Sequence, residues 1–407
     1  MRRYDKITPD GAKDKLFEQC EVRREVLSAL SLLFEGRAYR EVITPGFEFY
    51  DVFDSSSNNY FPQENMYKLT DLKGRMLVAR PDSTVPIARV VATRLRGHSL
   101  PIRLYYSQDV YRMVSGSNGR SGEIMQAGVE LIGSSSAKSD LEVLSLAAEA
   151  LKCCRIADFR IEIGHIGIYK YLINSLNCSD EQREAIRSCI ESKNYAALGD
   201  LLKEFDSPAA KALGQLPRMF GGAEVFEEAA ELFRDFEDGE LDEILKYLEF
   251  VYSSLQRCGL ESKLMVDFGL VNQADYYTGI IFHGYIKGAG EPVVSGGRYD
   301  GLIKDFGENL PATGFGINVD LITAALLQSG LYNAEKKKVL VFCEAEAVSS
   351  AFSYINALSQ SGVAAEFCTF DTLEETESYA VSVGADKICV VTADDVRMIT
   401  VGGKADE

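Results

Sequence analysis

At 407 residues the chain exceeds one ordinary core and suits one large domain with a smaller companion. Hydrophobic residues make up 46% of it, which supports a packed core and excludes a disordered chain. Its 61 acids against 43 bases give a formal net charge of -18, the wrong sign for gripping phosphate backbones, so nucleic acid is not expected as a partner.

Nine cysteines without Cys-x-x-Cys spacing, and three histidines (His98, His165, His283) far apart, argue against a disulfide framework or a metal centre. No cofactor is expected. Met1 to Lys6 lacks the apolar core of a signal peptide, and no apolar run is long enough to span a bilayer. A soluble, cytoplasmic chain without a membrane partner is therefore expected.

In chain order, a turn at Thr8–Gly11 leads into a helix expected from about Asp14 to Phe34, stopped by Gly36. An extended run, Glu41 to Pro45, follows. Strands are expected at Met66–Leu69, Arg75–Ala79, Ile102–Tyr106 and Gln126–Gly133, then a helix at Asp140–Cys154. Phe159, Ile161 and Ile163 alternate with polar neighbours as a strand does. Residues 166–256 read as an almost wholly helical insertion, with Gly221-Gly222 its clearest break. Strands resume at Lys263–Phe268, Tyr277–Tyr285 and Gly314–Val319, and a polar stretch, Asn333 to Lys338, reads as a linker. Beyond it, strands alternating with helices imply a small α/β domain. Residues 331–407 hold 6 basic and 13 acidic residues, a net charge of -7.

Three stretches carry candidate chemistry. In Ala79-Arg80-Pro81-Asp82-Ser83-Thr84, an acid and a hydroxyl two apart can both face a cavity, although for this stretch alone the stronger reading is that Asp82 or Ser83 caps the next helix. Next come Tyr105 to Arg112 and Gly119 to Glu130, two strands joined by a glycine-bearing loop. Arg112 closes the first strand, where it could hold a phosphate in bidentate fashion. Gln126 and Glu130, four apart on the second, share a face. Gly116, Gly119 and Gly122 match neither phosphate-cradling spacing and read as slack in the loop. The third stretch pairs Asp275-Tyr276-Tyr277 with Gly296-Gly297-Arg298-Tyr299-Asp300-Gly301-Leu302. Paired tyrosines offer a hydroxyl and a flat wall to an aromatic ligand, and the glycines allow close backbone approach.

Together and in this order, the three stretches resemble histidyl-tRNA synthetase, a class II aminoacyl-tRNA synthetase, over roughly residues 5 to 330. The resemblance implies an α+β fold: an antiparallel sheet flanked by helices over residues 1–330, with the helical insertion at 166–256. A small α/β domain, residues 336–407, resembles a shortened, acidic anticodon-binding domain. It also implies that Asp82, Thr84, Gln126, Glu130, Tyr276 and Tyr277 hold histidine, that Arg112 is the motif 2 arginine, and that Pro45 closes motif 1 at a dimer interface.

Three departures stand out. The synthetases' histidine-specific motif, Leu-Val-Arg-Gly-Leu-Asp-Tyr-Tyr, here reads Leu270-Val271-Asn272-Gln273-Ala274-Asp275-Tyr276-Tyr277, so Asn272 replaces its arginine. Leu321 stands at the motif 3 arginine, and Ser121-Gly122 where the synthetases typically place Tyr-Arg. Adenylation relies on preorganised positive charge, where one missing donor can cost about a hundredfold, so useful turnover is not expected. A histidine pocket without its ATP clamps is similar to the regulatory subunits of ATP phosphoribosyltransferase. That resemblance implies a non-catalytic homodimer within a hetero-oligomer, joined to a short-form catalytic subunit, with L-histidine as feedback effector and Arg112 among the residues around it. The competing readings are an active synthetase and a stand-alone histidine-binding signalling protein. His165 marks kinship and reads otherwise as a buried or capping residue. Val390 to Val396, an apolar strand followed by Asp394-Asp395, has the outline of a phosphoribosyl-pyrophosphate motif. Arg397 to Val401 resumes a strand, however, which places the acids in a hairpin turn.

Overall fold

A computed structural model of the chain describes residues 5–54, 60–113, 121–236, 239–271, 276–330 and 338–401. Two compact units divide it, Met1–Tyr332 and Asn333–Glu407. The expected linker, but for Lys338, lies outside the described residues, as do Asn272 to Asp275, Gly116 and Gly119.

The first unit is built on a sheet of nine strands among the described residues. In chain order these are β1 (Arg40–Glu41), β2 (Ile102–Tyr111), β3 (Glu123–Ile132), β4 (Phe159–His165), β5 (Phe220–Gly221), β6 (Leu264–Asp267), β7 (Ile280–Ile286), β8 (Val294–Arg298) and β9 (Ala312–Asn318). Across the sheet they run β1-β2-β3-β9-β8-β7-β4-β6-β5. Pairing is antiparallel except between β1 and β2 and between β4 and β6. Helices Glu18–Gly36, Ala137–Cys153 and Val319–Gln328 cover one face. The first buries Val22, Val26, Leu30 and Phe34, a stripe at every fourth residue, and Phe34 meets the rings of Tyr105 and Phe315. The opposite face carries Gln126 and Glu130, which line a cavity.

Several boundaries differ from the sequence reading for physical reasons. The first helix starts at Glu18 because Phe17 adopts a φ of +44°, and the left-handed residue after it is Ala38, not Gly36. β2 continues five residues past Tyr106, through Ser-Gln-Asp-Val-Tyr, whose polar residues obscure a strand. Gln108 and Val110 are nevertheless buried, and the register holds to Tyr111 opposite Glu123. β8 contains Gly296-Gly297 and so lacks a strand's composition; its pairing on both sides supplies the order instead.

The insertion contains six α-helices among the described residues, between Ile166 and Leu255. Four of them start at side-chain caps, His165, Ser179, Asn194 and Ser207, with Ser179 and Gln182 forming a reciprocal capping box. Its glycine break is more than a turn, because Phe220–Gly221 joins the sheet as edge strand β5.

The second unit is a four-stranded sheet in the order Ala364–Phe367, Lys338–Cys343, Lys387–Val391, Val396–Thr400, with only the last strand antiparallel. Helices Val348–Gln360 and Leu373–Ser382 pack on opposite faces, each over its own apolar cluster. Asp394 and Asp395 sit in the hairpin turn, where Thr392 N–H donates to the Asp395 carbonyl at 2.9 Å.

Candidate ligand-binding site

On the opposite face of the sheet lies a cavity of about 530 Å³. Asp82, Thr84, Arg112, Gln126, Glu130, Tyr276 and Tyr277 all line it, although they come from four separate parts of the chain. The strand Met76–Ala79 ends into helix Thr84–Arg94, and this junction brings Asp82 and Thr84 to the cavity. Asp82 serves both roles read from its sequence: its Oδ1 accepts from Val85 N–H at 3.1 Å as a cap, and it also lines the cavity. Arg112 follows the end of β2, donates through Nε to the Pro81 carbonyl at 2.9 Å, and lies over the Phe61 ring.

Gln126 and Glu130 share a face of β3, and the floor beneath them is glycine. A Cβ at Gly316 would stand 2.6 Å from Gln126 Nε2, and one at Gly314 would fall on the Glu130 carboxylate. Glycine on β9 therefore lets both side chains lean across the neighbouring strand toward the middle of the sheet.

Glu130 is 1% exposed. Thr84 Oγ1 donates to its Oε1 at 2.8 Å, and the Tyr299 hydroxyl donates to its Oε2. Burial still dominates, and the nearby Asp82 adds to it, pushing the Glu130 carboxyl up to about 8. Asp82 is likewise raised by burial, opposed by Arg112. Tyr276 and Tyr277 have centroids 4.8 Å apart, and Tyr276 meets Tyr299 edge-on at 5.9 Å. Burial first, then the acids, holds these phenols well above their usual range, so they remain neutral donors. The site thus combines two carboxyls, a guanidinium and an aromatic wall. That set complements a small zwitterion with a flat, hydrogen-bonding side chain.

Sequence reasoning left Tyr299 and Tyr106 without a role. Tyr299 is bonded to Glu130, and Tyr106 OH donates to Gln126 Oε1 at 3.2 Å. Their places inside the Gly-Gly-Arg-Tyr and Tyr-Tyr-Ser-Gln stretches were the available signal. His283 also lines the cavity, and burial lowers its imidazole to about 4, which keeps it neutral. His165 lies elsewhere: its Nδ1 accepts from Gly167 N–H at 3.2 Å and caps a helix. Leu321 does not line this cavity but an adjoining one of about 520 Å³, next to Lys15 and Arg23. Both side chains pair with Asp320.

The family model described as Histidyl-tRNA synthetase matches residues 11–322. The ATP phosphoribosyltransferase regulatory subunit of Clostridium novyi (strain NT) is 40% identical over 397 residues, covering 96% of this chain and 93% of that one. That of Clostridium kluyveri is also 40% identical, covering 93% and 97%. The chain belongs to the family of ATP phosphoribosyltransferase regulatory subunits. A solved structure described as an ATP phosphoribosyltransferase regulatory subunit/histidyl-tRNA synthetase, from Bacillus halodurans C, shares the fold with a TM-score of 0.82 at 28% identity, covering 96% of this chain and 100% of that one. As in that family, the fold is a class II synthetase fold, with the mixed sheet, helical insertion and separate small sheet described above. Among the described residues no helix is long and apolar enough to cross a membrane, and no group of metal-binding side chains is assembled.

Proposed function

We propose that the chain is a non-catalytic regulatory subunit that binds L-histidine in the 530 Å³ cavity and acts on a short-form catalytic subunit of ATP phosphoribosyltransferase. The observation that carries this reading is the convergence of Asp82, Thr84, Arg112, Gln126, Glu130, Tyr276 and Tyr277 on one cavity, while Leu321 occupies the motif 3 position. In this reading Glu130 and Asp82 receive the cationic and N–H groups of the ligand, the tyrosines receive its ring, and Arg112 its carboxylate. With leucine at 321 and asparagine at 272, the charge that would stabilise an adenylation transition state is missing.

The same reading makes the chain a homodimer inside a hetero-oligomer. Support comes from apolar side chains exposed in the first unit, Ile43, Phe47, Phe49 and Leu69. Phe47 and Phe49 alternate with buried Glu48 on a three-residue strand, so both phenyl groups lie on one face.

Calorimetry with L-histidine and reconstitution with a short-form catalytic subunit test the proposal. Expected are saturable histidine binding, co-elution and histidine-dependent inhibition of the partner. No histidine-dependent exchange of pyrophosphate into ATP is expected; measurable exchange would restore the synthetase reading. Histidine binding without any effect on the partner would favour a separate signalling role.

A further inference from the structure

The two tyrosines that wall the cavity sit where the sheet cannot hold them. β7 begins at Ile280, so the main chain of Tyr277 to Gly279 lies outside its ladder and must find other partners. Two come from the first helix of the insertion, Ile166–Asn174: Lys170 Nζ donates to the Tyr277 carbonyl at 2.7 Å, and Ile166 N–H donates to the Gly279 carbonyl at 3.1 Å. A third is on the core, where Thr278 N–H donates to the Arg298 carbonyl at 2.8 Å.

Arg298 leads back to the insertion by a second route. Its Nη2 and Nε donate to Asp140 Oδ2 at 3.0 and 3.1 Å, with both side chains almost fully buried. The same carboxylate accepts from the hydroxyl of Tyr247, on the last insertion helix, Glu240–Leu255. Tyr247 packs edge-on against His165, the cap of the first insertion helix. Asp140 Oδ1 is buried with no hydrogen-bond partner among the described residues, so the joint is incompletely satisfied as it stands. A third insertion helix, Asp180–Glu191, brings Glu191 to the cavity wall. The insertion therefore holds the tyrosine segment from both its ends and also touches the ligand space.

We propose that Lys170 is a positioning residue for the cavity: it fixes the tyrosine wall through the main chain and makes the helical insertion the part of the chain that responds when a ligand seats against Tyr276 and Tyr277. The identity of that ligand rests on the histidine reading above; the mechanical role of Lys170 does not. Lys170→Met keeps the side-chain length and removes the donor, and Lys170→Arg keeps a charged donor.

The test uses the full-length chain and two measurements. In hydrogen exchange without ligand, Lys170→Met should accelerate exchange over residues 276–281, and Lys170→Arg should return it toward wild type. In calorimetry, Lys170→Met should raise the L-histidine dissociation constant by about fivefold or more, with rescue by Lys170→Arg. In the wild type, L-histidine should slow exchange in Ile166–Asn174 and Glu240–Leu255, and Tyr247→Phe should diminish that effect in the second helix. Wild-type exchange at 276–281 in Lys170→Met overturns the role of Lys170. If wild-type protein binds no L-histidine, the ligand reading fails while the exchange result without ligand still decides Lys170. Should Lys170→Met not fold, Tyr247→Phe decides: undiminished protection of Glu240–Leu255 overturns the proposal.

Discussion

At the scale of single residues, Glu130 is the most informative group in the molecule. Its carboxyl, buried and raised to about 8, holds a proton near neutral pH. An ammonium or imidazole N–H arriving beside it would favour the ionised form and expel that proton. L-histidine binding near pH 7 should therefore release a fraction of a proton, seen as a dependence of binding enthalpy on buffer ionisation enthalpy. Glu130→Gln should abolish the release, and equal release in the variant would place the titrating group elsewhere. A linked effect concerns stability. The folded pKa lies above the ordinary carboxylate value of about 4.3, so the folded chain keeps a proton that the unfolded chain gives up. Stability contributed by this group is present at low pH and falls as pH rises toward about 8; Glu130→Gln should flatten that part of a melting-versus-pH curve. Glu130→Ala should weaken histidine binding by about 1.5 to 3 kcal/mol, the usual worth of a hydrogen bond to a charged group. Tyr299→Phe removes only the hydroxyl bonded to Glu130, and should weaken binding less, by about 1 kcal/mol in the same calorimetric assay.

At the scale of elements, the exposed face of the strand Phe47–Phe49 carries the homodimer proposal. Phe47→Ser with Phe49→Ser should raise the dimer dissociation constant at least about tenfold, measured by analytical ultracentrifugation, because two phenyl groups would lose their burial. An unchanged constant would move the interface to another face. The elements also explain what could be read from the sequence. Period and caps were enough for the long helices, since Val22, Val26, Leu30 and Phe34 mark a face whatever the tertiary context. The end of β2 and the whole of β8 were hidden, because Ser107 to Tyr111 is polar and Ser295-Gly296-Gly297 lacks bulk. β8 is a strand because neighbours on both sides supply hydrogen bonds, and the end of β2 because β3 does, and that is non-local information. The residues expected around a ligand were legible through the motifs that contain them. The bond between Tyr299 and Glu130, separated by 169 positions, was not, and neither was the grip of Lys170 on Tyr277 across 107.

At the scale of the whole molecule, the chain folds as two units with separate apolar cores. Every residue named for the ligand lies in Met1–Tyr332, as does the insertion that grips the tyrosine wall. The second unit, Asn333–Glu407, has each face of its sheet covered by its own helix, which is the condition for a small α/β unit to keep its structure. Residues 331–407 carry a net charge of -7, which opposes a role in holding tRNA. If ligand recognition belongs to the first unit alone, a chain ending at Tyr332 should bind L-histidine within about threefold of the full-length affinity, less than the tenfold that corresponds to 1.4 kcal/mol. It should also gain thermal stability on saturation, because a ligand bound only to the folded state stabilises by about 2.7 kcal/mol at a hundred times its dissociation constant. Calorimetric titration and a melting curve of the shortened chain measure both. A tenfold loss of affinity in a shortened chain that still melts cooperatively would mean that residues beyond 332 help to shape the cavity, and the second unit would then have to be counted as part of the receptor.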